Sequence, residues 1–219
     1  MKTIGIVLLL LFFGLSTVEN LECYEGHCRN SEYCKGEVTE CPEGSSCMTI
    51  SEKSGFNHTY YSMKKRCSMN LECNSSMYAY VNADVYYDLT YNCCDNNLCN
   101  NGTNIMTNIT YEFNGPECPA CVSYDTLELC KPVTNTVCRS KTDLCSYLVG
   151  MLEKPDGVET KFSVQGCMSN RSCNNDHSQV VGYNMKSISK YKCWLPKPKH
   201  QPKRKKKKIR GIMGYGTGN

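Results

Sequence analysis

The chain has 219 residues, 18 cysteines and a formal net charge of +4. Cysteine at about 8% is the level of a disulfide scaffold, and a reducing cytosol would keep so many thiols free, so a cytosolic enzyme is disfavoured. One Trp and five Phe leave little material for a large apolar core, while 15 Tyr and the cysteines are too order-promoting for a disordered chain.

Residues 1–20 read as a secretory signal peptide. Lys2 gives a positive start, Ile4 to Phe13 is apolar apart from Gly5, and Gly14 and Ser16 are small residues suited to cleavage, taken at about Asn20. The run is too short to span a bilayer. The C-terminus ends Gly214-Tyr215-Gly216-Thr217-Gly218-Asn219, without the hydrophobic tail of a lipid-anchor signal. A secreted, extracellular protein with no GPI anchor and no transmembrane segment is expected. Sequons at Asn57, Asn74, Asn101, Asn108 and Asn170 suit that route, and two to four of the five are expected to carry glycan.

The cysteines repeat. Cys67, Cys73 and Cys93 recur as Cys167, Cys173 and Cys193, each displaced by 100, and the five before them recur at offsets of 93 to 98 as Cys118, Cys121, Cys130, Cys138 and Cys145. The chain is therefore two copies of one module. Residues 21–100 hold ten cysteines and residues 118–195 hold eight; both counts are even, so no thiol need be left over. Residues 101–117 between them, rich in Asn and Gly, read as a linker.

Within the modules the pattern is strand and turn, without an amphipathic helix. Lys53 to Asn57 reads as the turn of a hairpin, Lys154-Pro155-Asp156-Gly157 as a stronger one, and Val85, Tyr87, Leu89, Tyr91 and Cys93 as one face of a strand. Modules of this size with few large apolar side chains need bridges, each contributing roughly 2–4 kcal/mol. Spacing alone leaves 105 pairings open for eight cysteines.

Leu21-Glu22-Cys23 opens the first module and Cys93-Cys94-Asp95-Asn96-Asn97-Leu98-Cys99-Asn100 closes it. This ending after a ten-cysteine ladder resembles the three-finger fold of the lymphocyte-antigen-6/urokinase-receptor superfamily. Two modules in tandem, the second opening Cys118-Pro119 with eight cysteines, are most similar to the two-domain gamma-type phospholipase A2 inhibitors and related amphibian secreted proteins. The likeness covers Leu21 to Cys193; Trp194 stands where a second double cysteine would be. It implies an all-β, disulfide-rich fold of two tandem three-finger (snake-toxin-like) domains. It also implies the pairing Cys23–Cys47, Cys28–Cys34, Cys41–Cys67, Cys73–Cys93 and Cys94–Cys99, then Cys118–Cys145, Cys121–Cys130, Cys138–Cys167 and Cys173–Cys193.

Little points to chemistry. Secreted phospholipase A2 is also small and cysteine-rich, but its CC-x2-H-x2-C motif meets Asn97 where the histidine belongs. His27, His58, His177 and His200 are scattered, Cys118-Pro119-Ala120-Cys121 reads as a structural bridge rather than a zinc or redox site, and Asp84 and Asp88 read as solvent-facing. No catalytic residue, metal or cofactor is expected. The tyrosines Tyr60, Tyr61, Tyr78, Tyr80, Tyr86, Tyr87 and Tyr91 read as sheet packing or as a partner-binding face.

The charge is uneven. Residues 197–210 hold nine basic residues and no acid, which leaves sixteen bases against 21 acids, or −5, in residues 1–195. Residues 196–219 read as a disordered basic tail, with Lys203, Arg204, Lys205, Lys206, Lys207, Lys208 and Arg210 as candidates for heparan sulfate or anionic lipid. Nucleic acid is not expected as a partner of a secreted chain. The expected function is binding of a secreted protein, inhibition of phospholipase A2 being favoured. The alternatives are a pheromone-like or receptor-modulating ligand of a cell-surface receptor, a polycation acting through the tail, and self-association as a homo-oligomer.

Overall fold

The computed structural model describes residues 20–69, 73–103, 106, 111–174 and 181–196. The leader before Asn20, the sequon Asn108, His177, His200 and the basic residues from Lys197 onward lie outside these.

The first module is three antiparallel hairpins. They are β1 (Glu22–Cys28) with β2 (Glu37–Glu40), β3 (Ser46–Phe56) with β4 (Thr59–Ser68), and β5 (Ser75–Tyr80) with β6 (Val85–Cys94). The second repeats the plan with β7 (Glu117–Tyr124) and β8 (Thr134–Val137), β9 (Leu144–Glu153) and β10 (Glu159–Met168), and β11 (Asn184–Trp194), which pairs with β9. One short helix, α1 (Asn170–Asn174), precedes β11. The fold is all-β, as the strand-and-turn pattern implied.

Nine disulfides hold it: Cys23–Cys47, Cys28–Cys34, Cys41–Cys67, Cys73–Cys93, Cys94–Cys99, Cys118–Cys145, Cys121–Cys130, Cys138–Cys167 and Cys173–Cys193. Cys23, Cys41 and Cys47 form one buried sulfur cluster and Cys118, Cys138, Cys145 and Cys167 another, so each module has its knot at the base of its fingers. The Cys94–Cys99 segment is laced to β1. Asn97 accepts a hydrogen bond from the Glu22 amide at 3.1 Å, and Asn100 brackets Tyr24, accepting from its amide at 2.9 Å and donating to its carbonyl at 2.8 Å.

The central hairpins differ slightly from expectation. Lys53 to Phe56 continue β3 instead of turning, and the reversal falls on Asn57-His58, with Asn57 at φ 69°. Gly55 serves close approach: a Cβ there would come within 2.5 Å of the Tyr86 ring on β6. In the second hairpin the reversal occupies residues 154–158 and Gly157 takes φ 86°, the left-handed region that glycine enters without penalty.

The two modules share one sheet. β10 pairs antiparallel with β5, Cys167 opposite Tyr80 and Met168 opposite Ala79, and the strand order runs β11-β9-β10-β5-β6-β3-β4-β1-β2. They also share a core in which Phe56, Tyr60 and Val85 of the first module pack with Leu148, Phe162 and Tyr183 of the second. Phe56 meets Tyr124 and Phe162 edge-on, with centroids 5.1 and 6.2 Å apart. Burying a side chain such as Phe contributes about 1.5–3 kcal/mol, and here that gain requires both modules. A second cluster, Met48, Ile50, Met77, Leu89 and Tyr91, lies within the first module and is closed by Val181 of the second.

Gly166 lies where β10 reaches β5; a side chain there would strike the Tyr80 carbonyl and Val81. Gly166→Ala is expected to lower stability by about 1–3 kcal/mol through overpacking of the strand joint, measured by thermal unfolding of the oxidised protein.

Candidate binding surface and the seam behind it

The described residues that could carry chemistry are committed to structure. Two sulfur triads, Cys23, Cys41, Cys67 and Cys118, Cys138, Cys167, are close enough to share an ion, but every one of these sulfurs belongs to a disulfide and supplies no thiolate. His58 is exposed at a hairpin tip, and His27 Nε2 lies 2.7 Å from the Val181 carbonyl of the second module.

His27 belongs to a polar clasp between the modules. β1 is held against β4, which places Arg29 just past its end facing the second module's central hairpin. The Arg29 guanidinium donates to Glu153 at 2.6 Å, to the Lys154 carbonyl at 2.8 Å and to the Gly182 carbonyl at 2.8 Å. From β3, the fully buried Glu52 accepts from the Val181 and Gly182 amides at 2.8 and 3.0 Å and from the Ser54 hydroxyl at 3.0 Å. Gly182 permits this approach, since a Cβ would lie 2.6 Å from Glu52 Oε1. Burial pushes the Glu52 carboxyl above its ordinary value, against the hydrogen bonds from Gly182, Ser54 and Val181 and the charge of Arg29. Hydrogen bonds from Lys186 and Arg29 hold Glu153 down at about 2.

A second clasp lies beside the strand joint. Asp88, expected to face solvent, is buried and ion-paired with Arg139 of the second module. The Arg139 guanidinium stacks between Tyr111, 3.5 Å from its centroid, and Tyr78, 4.3 Å from its centroid. The Tyr78 hydroxyl donates to Asp143 and accepts from the Arg139 amide at 3.0 Å. Burial raises Asp88 above the ordinary carboxylate value while the guanidinium favours its charge. The Tyr60 hydroxyl, donating to Asp156 at 2.8 Å and pushed up to about 12 by burial, and Tyr124, donating to Asn57 Oδ1 at 3.0 Å, complete the seam.

The tyrosine cluster is thus divided by the sister module. Tyr60 packs in the shared core, Tyr78 and Tyr80 lie against the Arg139 cage, and Tyr91 is buried within the first module. Between the modules a half-open apolar pocket of about 80 Å³ remains.

What the fold leaves outward is the first finger of the second module. The Cys121–Cys130 bridge closes a loop that exposes Leu127 and Leu129, and Val133, between that bridge and β8, is 88% exposed. In the first module the corresponding finger grips its neighbour through Arg29. Asn57, Asn74, Asn101 and Asn170 are exposed, so glycans could be carried there, although Asn57 already accepts the Tyr124 hydroxyl.

The family model for the u-PAR/Ly-6 domain matches residues 19–102 and again 114–209. The chain belongs to the u-PAR/Ly-6 domain family. The second match runs past Cys193, where the motif-level likeness ends. Protein RoBo-1 of Rattus norvegicus is 22% identical over 179 residues, covering 80% of this chain and 72% of that protein. The crystal structure of mouse TEX101 is 17% identical, covers 79% of this chain and 97% of its own, and superposes with a TM-score of 0.35. Modules of the u-PAR/Ly-6 family are typically non-enzymatic and bind protein partners or receptors. Among the described residues no helix is long and apolar enough to cross a membrane.

Two outcomes follow. Because Glu153 is lowered on folding, its contribution is complete above its ordinary value of 4.5 and is lost as pH falls toward about 2. Glu153→Gln should therefore lower the melting temperature at pH 7 and flatten its decline between about pH 4.5 and 2, followed by thermal melts in stepped buffers. Arg139→Ala, which strands Asp88, should cost about 3–5 kcal/mol, and Asp88→Ala with Arg139→Ala distinctly less than the two single losses added, read by denaturant unfolding.

Proposed function

We propose that this chain is a secreted, non-enzymatic protein that binds another extracellular protein, and that a secreted phospholipase A2, inhibited by occlusion, is the favoured partner. The observation that carries protein binding is the first finger of the second module. Leu127 and Leu129 are exposed on a loop closed by the Cys121–Cys130 disulfide, and Val133 is exposed between that bridge and β8. A loop fixed in this way loses little entropy on binding, and apolar side chains in such a setting make good anchors. The rigid seam supports the reading as well, because two modules sharing a sheet and a core present their outer surfaces at one fixed spacing. The choice of phospholipase A2 is supported by the tandem arrangement of ten and eight cysteines, similar to that of the gamma-type inhibitors.

The test is hydrolysis of vesicles by several secreted phospholipases, with the purified oxidised protein in slight excess. Inhibition, together with a complex on gel filtration, is expected. The double variant Leu127→Asp, Val133→Asp should weaken both at least tenfold without moving the melting temperature. Unchanged hydrolysis and no complex would reject the phospholipase; capture of a receptor ectodomain through the same finger would favour the signalling reading instead.

A further inference from the structure

The pocket between the modules is not part of the exposed finger and has a chemistry of its own. Its wall is contributed by both copies: Phe56, Val81 and Val85 from the first, and Leu148, Leu152 and Phe162 from the second. Small residues from the first module, Gly55 and Ala79, also line it. An apolar cavity of about 150 Å³ holds one six-carbon ring, so a volume of about 80 Å³ has room for roughly three carbons. Water gains nothing from such a wall, because an ordered molecule needs two to four polar partners and aliphatic and aromatic carbon offers none. A chain of methylenes needs no such partner.

We propose that this pocket binds the terminal three carbons or so of a single unbranched alkyl chain, the rest of the ligand projecting through the open side. The pocket exists only while the modules are docked, so an occupant touches both and ties ligand binding to the integrity of the seam. Domain junctions are a frequent place for apolar small-molecule sites. The ligand class follows from the wall: a hydrocarbon tail, with no requirement on the headgroup beyond room to leave. It is independent of the partner proposed for the exposed finger.

Two methionines of the second module, Met168 and Met185, line the pocket, whereas Met48, Met63 and Met77 are buried in the first module away from it. The experiment uses the full-length oxidised protein labelled with ¹³C in the methionine methyls and titrated with ethanol, 1-propanol, 1-butanol and 1-hexanol at concentrations that leave it folded. Saturable shifts at Met168 and Met185, absent at Met48 and Met63, are expected. Affinity should rise about fourfold per added carbon, the fold-change that matches ~0.8 kcal/mol per buried methylene, and level off beyond about three to four carbons. Ala79→Leu and Val164→Phe fill the space from opposite modules, and each should abolish the shifts. A filling variant that retains the wild-type melting temperature gives the decisive comparison. Equal shifts at all methionines, no saturation, or shifts that persist in a folded filling variant would overturn the proposal, and shifts that saturate equally for every chain length would replace a tail site with a surface one.

Discussion

One apolar cluster is built by both modules together. Phe56 and Val85 of the first pack with Leu148 and Phe162 of the second, and the strand pairing of Tyr80 with Cys167 fixes the depth at which they meet. The disulfides hold each module's base, but they do not cross the seam. Apolar burial therefore sets the relation between the modules, and the polar clasps are arranged around it. Glu52 and Asp88 lie buried at its margins, where exclusion of water strengthens their hydrogen bonds and makes a missing partner costly.

The pairing of function with scaffold follows from the same division of labour. Knots of sulfur stabilise the bases of the fingers, and the fingers are free to differ. In the first module the finger loop begins at Arg29, which engages the hairpin tip of the second, and exposes Tyr33; in the second module Tyr124 engages the first module's tip and the loop beyond it carries Leu127 and Leu129 into solvent. Duplication supplied two copies of one loop, and the structure has given them unlike surroundings.

Much of the fold was legible in the sequence. The cysteine ladder, its displacement by 100 residues and the Cys93 to Asn100 ending resemble an all-β three-finger pair, which the fold is, and of the face read along β6 Val85, Leu89 and Tyr91 are buried while Tyr87 and Cys93 are half-buried. The seam was not legible. Asp88 looked solvent-facing because its partner, Arg139, lies 51 residues away in the other copy, and no local pattern announces an ion pair between repeats. Glu52 interrupts an otherwise ordinary strand, and only the positions of Val181 and Gly182 explain it. The tyrosines carried a signal for a partner face, but it could not say that for several of them the partner is the sister module.

The contacts across the seam are reciprocal. Arg29, from the first finger of one module, reaches the central hairpin tip of the other at Glu153 and Lys154; Tyr124, from the first finger of the second, reaches the central tip of the first at Phe56 and Asn57. The strand joint does not share this reciprocity: β10 of the second central hairpin meets β5 of the first module's third finger, whereas its counterpart β4 pairs with β1 and β3, so the sheets meet head to tail. An interface of this kind can close between two chains as well as within one. What selects closure within one chain is the tether from β6 to β7, which keeps the second module at a high effective concentration beside the first. Shortening that tether below the span of the seam would direct the same contacts outward, and the product would be an exchanged dimer in which each first module is completed by the other chain's second.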